Sequence, residues 1–130
     1  MTQPVDIAEK FERLLYEPGT FTHRDHLESG YAMLVKYPFM EATVRYLDTI
    51  RQMAQRAGAD KKFNTTITIA FLGLLIERME STPHTDFEDF VGQHPELLSP
   101  DILHRYYTPE RLDTDLARQA FLMPDLVGRV

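Results

Sequence analysis

Apolar residues recur along the chain at intervals of three and four, the spacing of one helical face, and nowhere alternate as in strands. The first such stretch predicts a helix over about Val5 to Tyr16, with Ile7, Phe11, Leu14 and Leu15 inward and a stop at Pro18-Gly19. A second begins at Thr22, whose hydroxyl can cap the helix while Asp25, three residues on, reaches back in a capping box; it ends before Pro38. The third covers about Phe39 to Ala57. On one face it carries Met40, Thr43, Val44, Leu47, Ile50, Ala54 and Ala57, and Gly58 is its stop.

The fourth stretch, about Asn64 to Glu80, is apolar around most of its circumference and leaves only a narrow strip of Thr66, Ala70, Gly73 and Glu77. A helix of that kind belongs at the centre of a bundle. Downstream, Ser99-Pro100, Thr108-Pro109 and Thr114 read as caps of short helices near 85–93, 100–106, 109–113 and 114–121. These should wrap the bundle, with Phe87, Phe90, Leu97, Leu98, Leu116 and Phe121 among the residues packing down. The expectation is one all-α domain over residues 1–130: four main helices around a buried central helix, and short C-terminal helices across them.

Composition narrows the chemistry. At 130 residues and 43% hydrophobic content the chain can bury a real core. The absence of cysteine excludes disulfides, thiolate catalysis and cysteine-held metals, so any metal must use His, Asp or Glu. A net charge of −6 argues against a nucleic-acid partner. The longest apolar run, ITIAFLGLLI, is about half of a ~20-residue membrane span, and the first residues lack the pattern of a signal peptide. A soluble, cytoplasmic protein with no membrane partner is expected.

The candidate chemistry lies in FTHRDHLESGY, residues 21–31. On a helical wheel His23 falls on the stripe of Leu27, Gly30 and Leu34, and His26 flanks it. Both occupy the first turn, where the helix dipole disfavours the imidazolium form. Neutral imidazoles can ligate a divalent transition metal, accept a proton or hydrogen-bond a neighbour, and the spacing alone leaves all three open. At the start of the fourth helix, Asn64 and Thr68 share a face with Phe71 and Leu75 and could meet the histidines in a small pocket. Arg51, Arg56, Lys61 and Lys62 lead into that helix start and offer an anion contact or a solvated basic face. His84, His94 and His104 match no metal-ligand spacing, and no Glu-x-x-His pair of the di-iron kind is present.

Three segments together, F-T-H-R-D-H-L in 21–27, K-F-N-T-T-I-T in 62–68 and R-Y-Y-T-P-E-R-L-D-T-D-L-A-R-Q-A-F-L-M-P-D in 105–125, resemble an uncharacterised family of small bacterial all-helical proteins. The family pattern is Phe-x-His-x-x-His-[Leu/Val], then Lys-[Tyr/Phe]-His-x-Thr-[Ile/Leu/Val]-Thr, then Tyr-Tyr-[Ser/Thr]-x-x-x-Leu ending in Pro-Asp. The resemblance spans about residues 20 to 125 and implies a pocket built by His23, His26, Lys62, Thr66 and Thr68. One position departs: Asn64 stands where the pattern has histidine, and two histidines with an amide hold first-row metals less well than three histidines.

Two functions follow as expectations. In the first, the pocket binds a small-molecule or anionic ligand, or a metal, and can act on it. His23 and His26 are then ligands or catalytic bases, Asn64, Thr66 and Thr68 ligand-binding groups, and Lys62 an anion contact. In the second, the protein is a non-enzymatic accessory protein, a homodimer for example, with structural histidines. The tyrosines Tyr31, Tyr37, Tyr46, Tyr106 and Tyr107 could line a pocket or a dimer face.

Overall fold

A computed structural model describes residues 4–126, all of their regular structure helical. Helix α1 is Pro4–Glu12, α2 His23–Lys36, α3 Phe39–Arg56, α4 Thr65–Ser81, α5 Phe87–Gln93, α6 Pro109–Leu112 and α7 Asp115–Gln119. Three 3-10 turns, Asp60–Lys62, Pro95–Leu98 and Ile102–Arg105, join them. Helix α1 lies against α2 and α3, α2 and α3 both pack on α4, and α7 also packs on α4. The all-α bundle expected from the apolar spacing is therefore the observed fold.

Local capping chemistry sets most helix starts. Thr22 accepts the Asp25 N–H at 3.1 Å while the Asp25 carboxylate accepts the Thr22 N–H at 2.9 Å, the full capping box. Asn64, Asp86, Thr108 and Thr114 cap α4, α5, α6 and α7 through their side chains. At the end of α3, Gly58 takes the left-handed conformation, φ 68°, and the Ala59 N–H reaches back to the Ala54 carbonyl at 2.7 Å.

Helix α1 ends four residues earlier than its apolar pattern suggested. Leu14 occupies the left-handed position at φ 57°, with Leu14 N–H bonded to Phe11 O and Leu15 N–H to Lys10 O. This is a Schellman turn with leucine where glycine is usual, at a backbone cost of roughly 1 kcal/mol. It turns Leu15 outward, to 56% exposure, instead of inward.

Helix α3 is rotated from its expected face. It buries Ala42, Thr43, Tyr46 and Thr49, whereas Met40 and Val44 are 71% and 63% exposed. The two threonines can face inward because each hydroxyl donates to the carbonyl one turn back, Thr43 to Phe39 and Thr49 to Arg45, both at 2.8 Å. That arrangement brings the large Tyr46 ring into the core, stacked on Phe11 at 5.0 Å between centroids.

Helix α4 is central, as expected, but its polar strip is exposed at Glu77 and covered at its start. Thr66 is fully buried, because residues 118–122 run across it. Its hydroxyl donates to Ala120 O at 2.6 Å and accepts the Leu122 N–H at 3.1 Å, and Thr65 donates to Arg118 O at 2.8 Å. Of the C-terminal residues expected to pack down, Phe87, Phe90 and Leu97 are buried, but Leu98, Leu116 and Phe121 are 42%, 60% and 44% exposed. Backbone approach between α2 and α4 depends on Gly30, where an added Cβ would lie 2.8 Å from Leu75 Cδ1.

Candidate functional site

The capping box fixes the first turn of α2 and thereby the direction in which His23 and His26 leave it. Both rings are partly buried. His23 Nε2 lies 2.8 Å from the carbonyl oxygen of Leu97, and a carbonyl only accepts, so Nε2 carries the hydrogen. His26 Nδ1 lies 3.3 Å from the Tyr46 hydroxyl, which itself donates to the His26 carbonyl at 3.0 Å. The phenol has one hydrogen, so His26 Nδ1–H is the donor of the longer bond. In the neutral rings the lone pairs are then on His23 Nδ1 and His26 Nε2.

Among the described residues neither of those nitrogens has a hydrogen-bond partner, and no buried side-chain nitrogen or oxygen is left without one. Both nitrogens therefore retain access to solvent. The two rings, with Tyr46, Thr68 and Phe71, line a pocket of about 160 Å³ whose remaining wall is Ile67, Pro100, Ile102 and Leu103. The Phe71 ring lies 5.7 Å from the His23 ring. Thr68 is buried and donates its hydroxyl to Asn64 O at 2.8 Å.

Burial pushes the His26 imidazole down to about 4, His23 beside it acts the same way, and the Asp25 carboxylate opposes both in part. Burial likewise pushes the Tyr46 phenol up. Near neutral pH the His26–Tyr46 pair is therefore polar but uncharged. Tyr46→Phe should lower the unfolding free energy by about 1–2 kcal/mol, because it strips the His26 carbonyl of a donor and Nδ1–H of an acceptor. Urea denaturation of the two proteins measures it; equal stability would mean that the phenol holds neither group.

The other residues singled out in the sequence are dispersed. Asn64 is buried, accepts the Ile67 N–H at 2.9 Å and donates to Leu112 O at 2.8 Å, and it does not line the pocket. Thr66 is turned to the C-terminal segment, as described above. Lys62 is exposed and borders a second hollow of about 440 Å³ with Tyr16, Phe21, Met53 and Arg56. His26 is common to both hollows, with the Phe21 ring edge-on at 4.6 Å. The basic cluster is spread out: Arg56 bonds Leu14 O, and Arg51 lies over the Phe63 ring.

Two site groups carried no motif. Tyr46 reaches His26 only because of the rotation of α3, and the Leu97 carbonyl lies 74 positions from His23. His84 and His94 belong to an aromatic cluster with Tyr31 and Phe90, away from the pocket.

Among the described residues no group of three or more His, Asp or Glu side chains is placed to hold a metal ion, and no helix is long and apolar enough to cross a membrane. The geometry defines a helical bundle with a small pocket at two helix starts. No protein family, curated protein or solved structure matches the chain.

Proposed function

We propose that the protein binds a small organic molecule in the pocket between the starts of α2 and α4, with His23 and His26 as the groups that touch it. The observation carrying this reading is that each ring is anchored through one nitrogen, to Leu97 or Tyr46, while the other has no partner among the described residues and keeps solvent access. A ring held for packing alone needs no accessible lone pair. An imidazole so oriented can accept a hydrogen bond or a proton, and Thr68 adds a hydroxyl oxygen. We place this activity in the bacterial cytoplasm, in the family that the three sequence segments resemble.

A metal version of the site finds weaker support. Two imidazoles with no carboxylate among the described residues of the pocket wall make a poor donor set for a divalent ion. The family pattern has histidine where Asn64 stands, and Asn64 uses one acceptor and one donor, to Ile67 and Leu112. A neutral imidazole offers the same pair. The exchange at this position is thus accounted for by helix capping, with no metal.

An NMR screen of small fragments against the wild type and a His23→Ala/His26→Ala double variant tests the reading. Fragments should shift the signals of His23, His26 and Thr68, and the double variant, its helical circular dichroism intact, should lose them. Equal binding by the double variant, or no fragment in the pocket, would overturn it. The accessory-protein reading draws on the outward Met40 and Val44, which would suit a dimer face on α3; a dimer in sedimentation equilibrium that Met40→Glu dissociates would favour it.

A further inference from the structure

The hydrogens around the pocket can be followed one by one. Four of the residues that line it have polar side chains: His23, His26, Tyr46 and Thr68. In the neutral state each has a single hydrogen to donate, and every one is used inside the protein. His23 Nε2–H goes to Leu97 O at 2.8 Å, His26 Nδ1–H to the Tyr46 oxygen at 3.3 Å, Tyr46 O–H to His26 O at 3.0 Å, and Thr68 O–H to Asn64 O at 2.8 Å. Only lone pairs remain on these side chains: His23 Nδ1, His26 Nε2 and the Thr68 oxygen.

Among the described residues the same wall contains no Lys, Arg, Asp or Glu. An anion entering would face lone pairs with no cation to offset them, and a divalent cation would meet neutral nitrogens with no carboxylate to balance its charge. A neutral molecule with N–H or O–H groups meets neither penalty, and it supplies the hydrogens that the wall lacks. Size sets a further bound. At about 160 Å³ the pocket is comparable to a cavity of about 150 Å³ that accepts benzene in another protein, and Phe71 and Ile102 supply apolar surface for a ring.

Building on the small-molecule reading above, we propose that the pocket takes a neutral single-ring molecule that donates N–H or O–H hydrogens to the free nitrogens of His23 and His26, in preference to an anion or a metal cation. The pocket discriminates by hydrogen-bond direction: an acceptor-only ligand of the same shape leaves the imidazole lone pairs desolvated and unmatched.

Four probes at pH 7.5 test this with the full chain: phenol, fluorobenzene as a near-isostere without the donor, benzoate as the anion, and zinc chloride as the metal alone. The readout is the ring nitrogen and proton signals of His23 and His26. Phenol should shift both rings and bind about 10-fold more tightly than fluorobenzene, the worth of one net hydrogen bond, and more tightly than benzoate or zinc. Fluorobenzene binding as well as phenol, or benzoate or zinc binding more tightly at these rings, would overturn the donor rule while leaving the pocket a binding site. If no probe moves the ring signals, the donor rule and the small-molecule reading fall together.

Discussion

Asn64→Ala should cost the protein about 2–4 kcal/mol of unfolding free energy. About 1 kcal/mol of this is the lost cap on the Ile67 N–H. The remainder comes from the Leu112 carbonyl, which loses its 2.8 Å amide donor in a buried position. Against a total stability of roughly 5–15 kcal/mol this is a large fraction, and the melting temperature should fall by on the order of 10 °C. Asn64→Asp separates the two contributions. The carboxylate still caps α4, but it sets an acceptor against the Leu112 carbonyl, so the Asp variant should retain the cap's share and lose the rest. Guanidinium melts of the three proteins decide it: an Ala variant within about 0.5 kcal/mol of wild type would mean that neither bond matters to stability.

The second large effect is a dependence on pH centred on His26. The native imidazole titrates near 4, below the value of about 6.5 expected in the unfolded chain. Between those two values the unfolded state binds a proton that the folded state refuses. Stability from this group is therefore complete above about pH 6.5 and is lost as pH falls toward 4, by on the order of 2–3 kcal/mol. Carboxylates contribute to the same acid loss. Burial pushes Glu96, for example, upward, but its own backbone hydrogen bond and Arg78 together outweigh that and hold its carboxyl low. The informative quantity is thus the difference between wild type and His26→Gln. Urea unfolding at pH 7 and pH 4.5 should show the wild type losing more stability than the Gln variant. Parallel losses would place the His26 imidazole in water instead of in the pocket wall.

How far the sequence speaks depends on how local the determining contact is. Thr22 with Asp25, Asn64, Thr108 and Thr114 each bond within three residues, so their caps were legible from spacing. Gly58 announced the end of α3 because few other residues take positive φ easily, and Leu14 concealed the end of α1 because it takes that conformation without being glycine. The apolar pattern misplaces the face of α3 because it passes over Thr49, whose hydroxyl is satisfied by its own helix and so costs little to bury. Thr66 was misjudged for the opposite reason: its partners, Ala120 and Leu122, lie 54 and 56 positions away.

The candidate site divides along the same line. One helical wheel suffices to put His23 and His26 toward one side of α2, and another to put Thr68 and Phe71 together on α4. That Asn64 and Thr66 serve the C-terminal segment, that Lys62 borders the other hollow, and that Tyr46 and Leu97 hold the imidazoles all depend on contacts between distant parts of the chain.

The grip of Asn64, Thr65 and Thr66 on residues 112–122 bears on the order in which the molecule can be completed during synthesis. A nascent chain that has extended as far as Ser81 already contains both histidines, Tyr46, Thr68 and Phe71. It still lacks Leu97 to anchor His23, Pro100 and Ile102 to finish the wall, and the strands of backbone that tie down the first turn of α4. The polar side chains of the pocket are thus made early and remain unset until residues 97–122 have emerged, so the interval between the two is when the pocket's apolar surface is exposed to other partners.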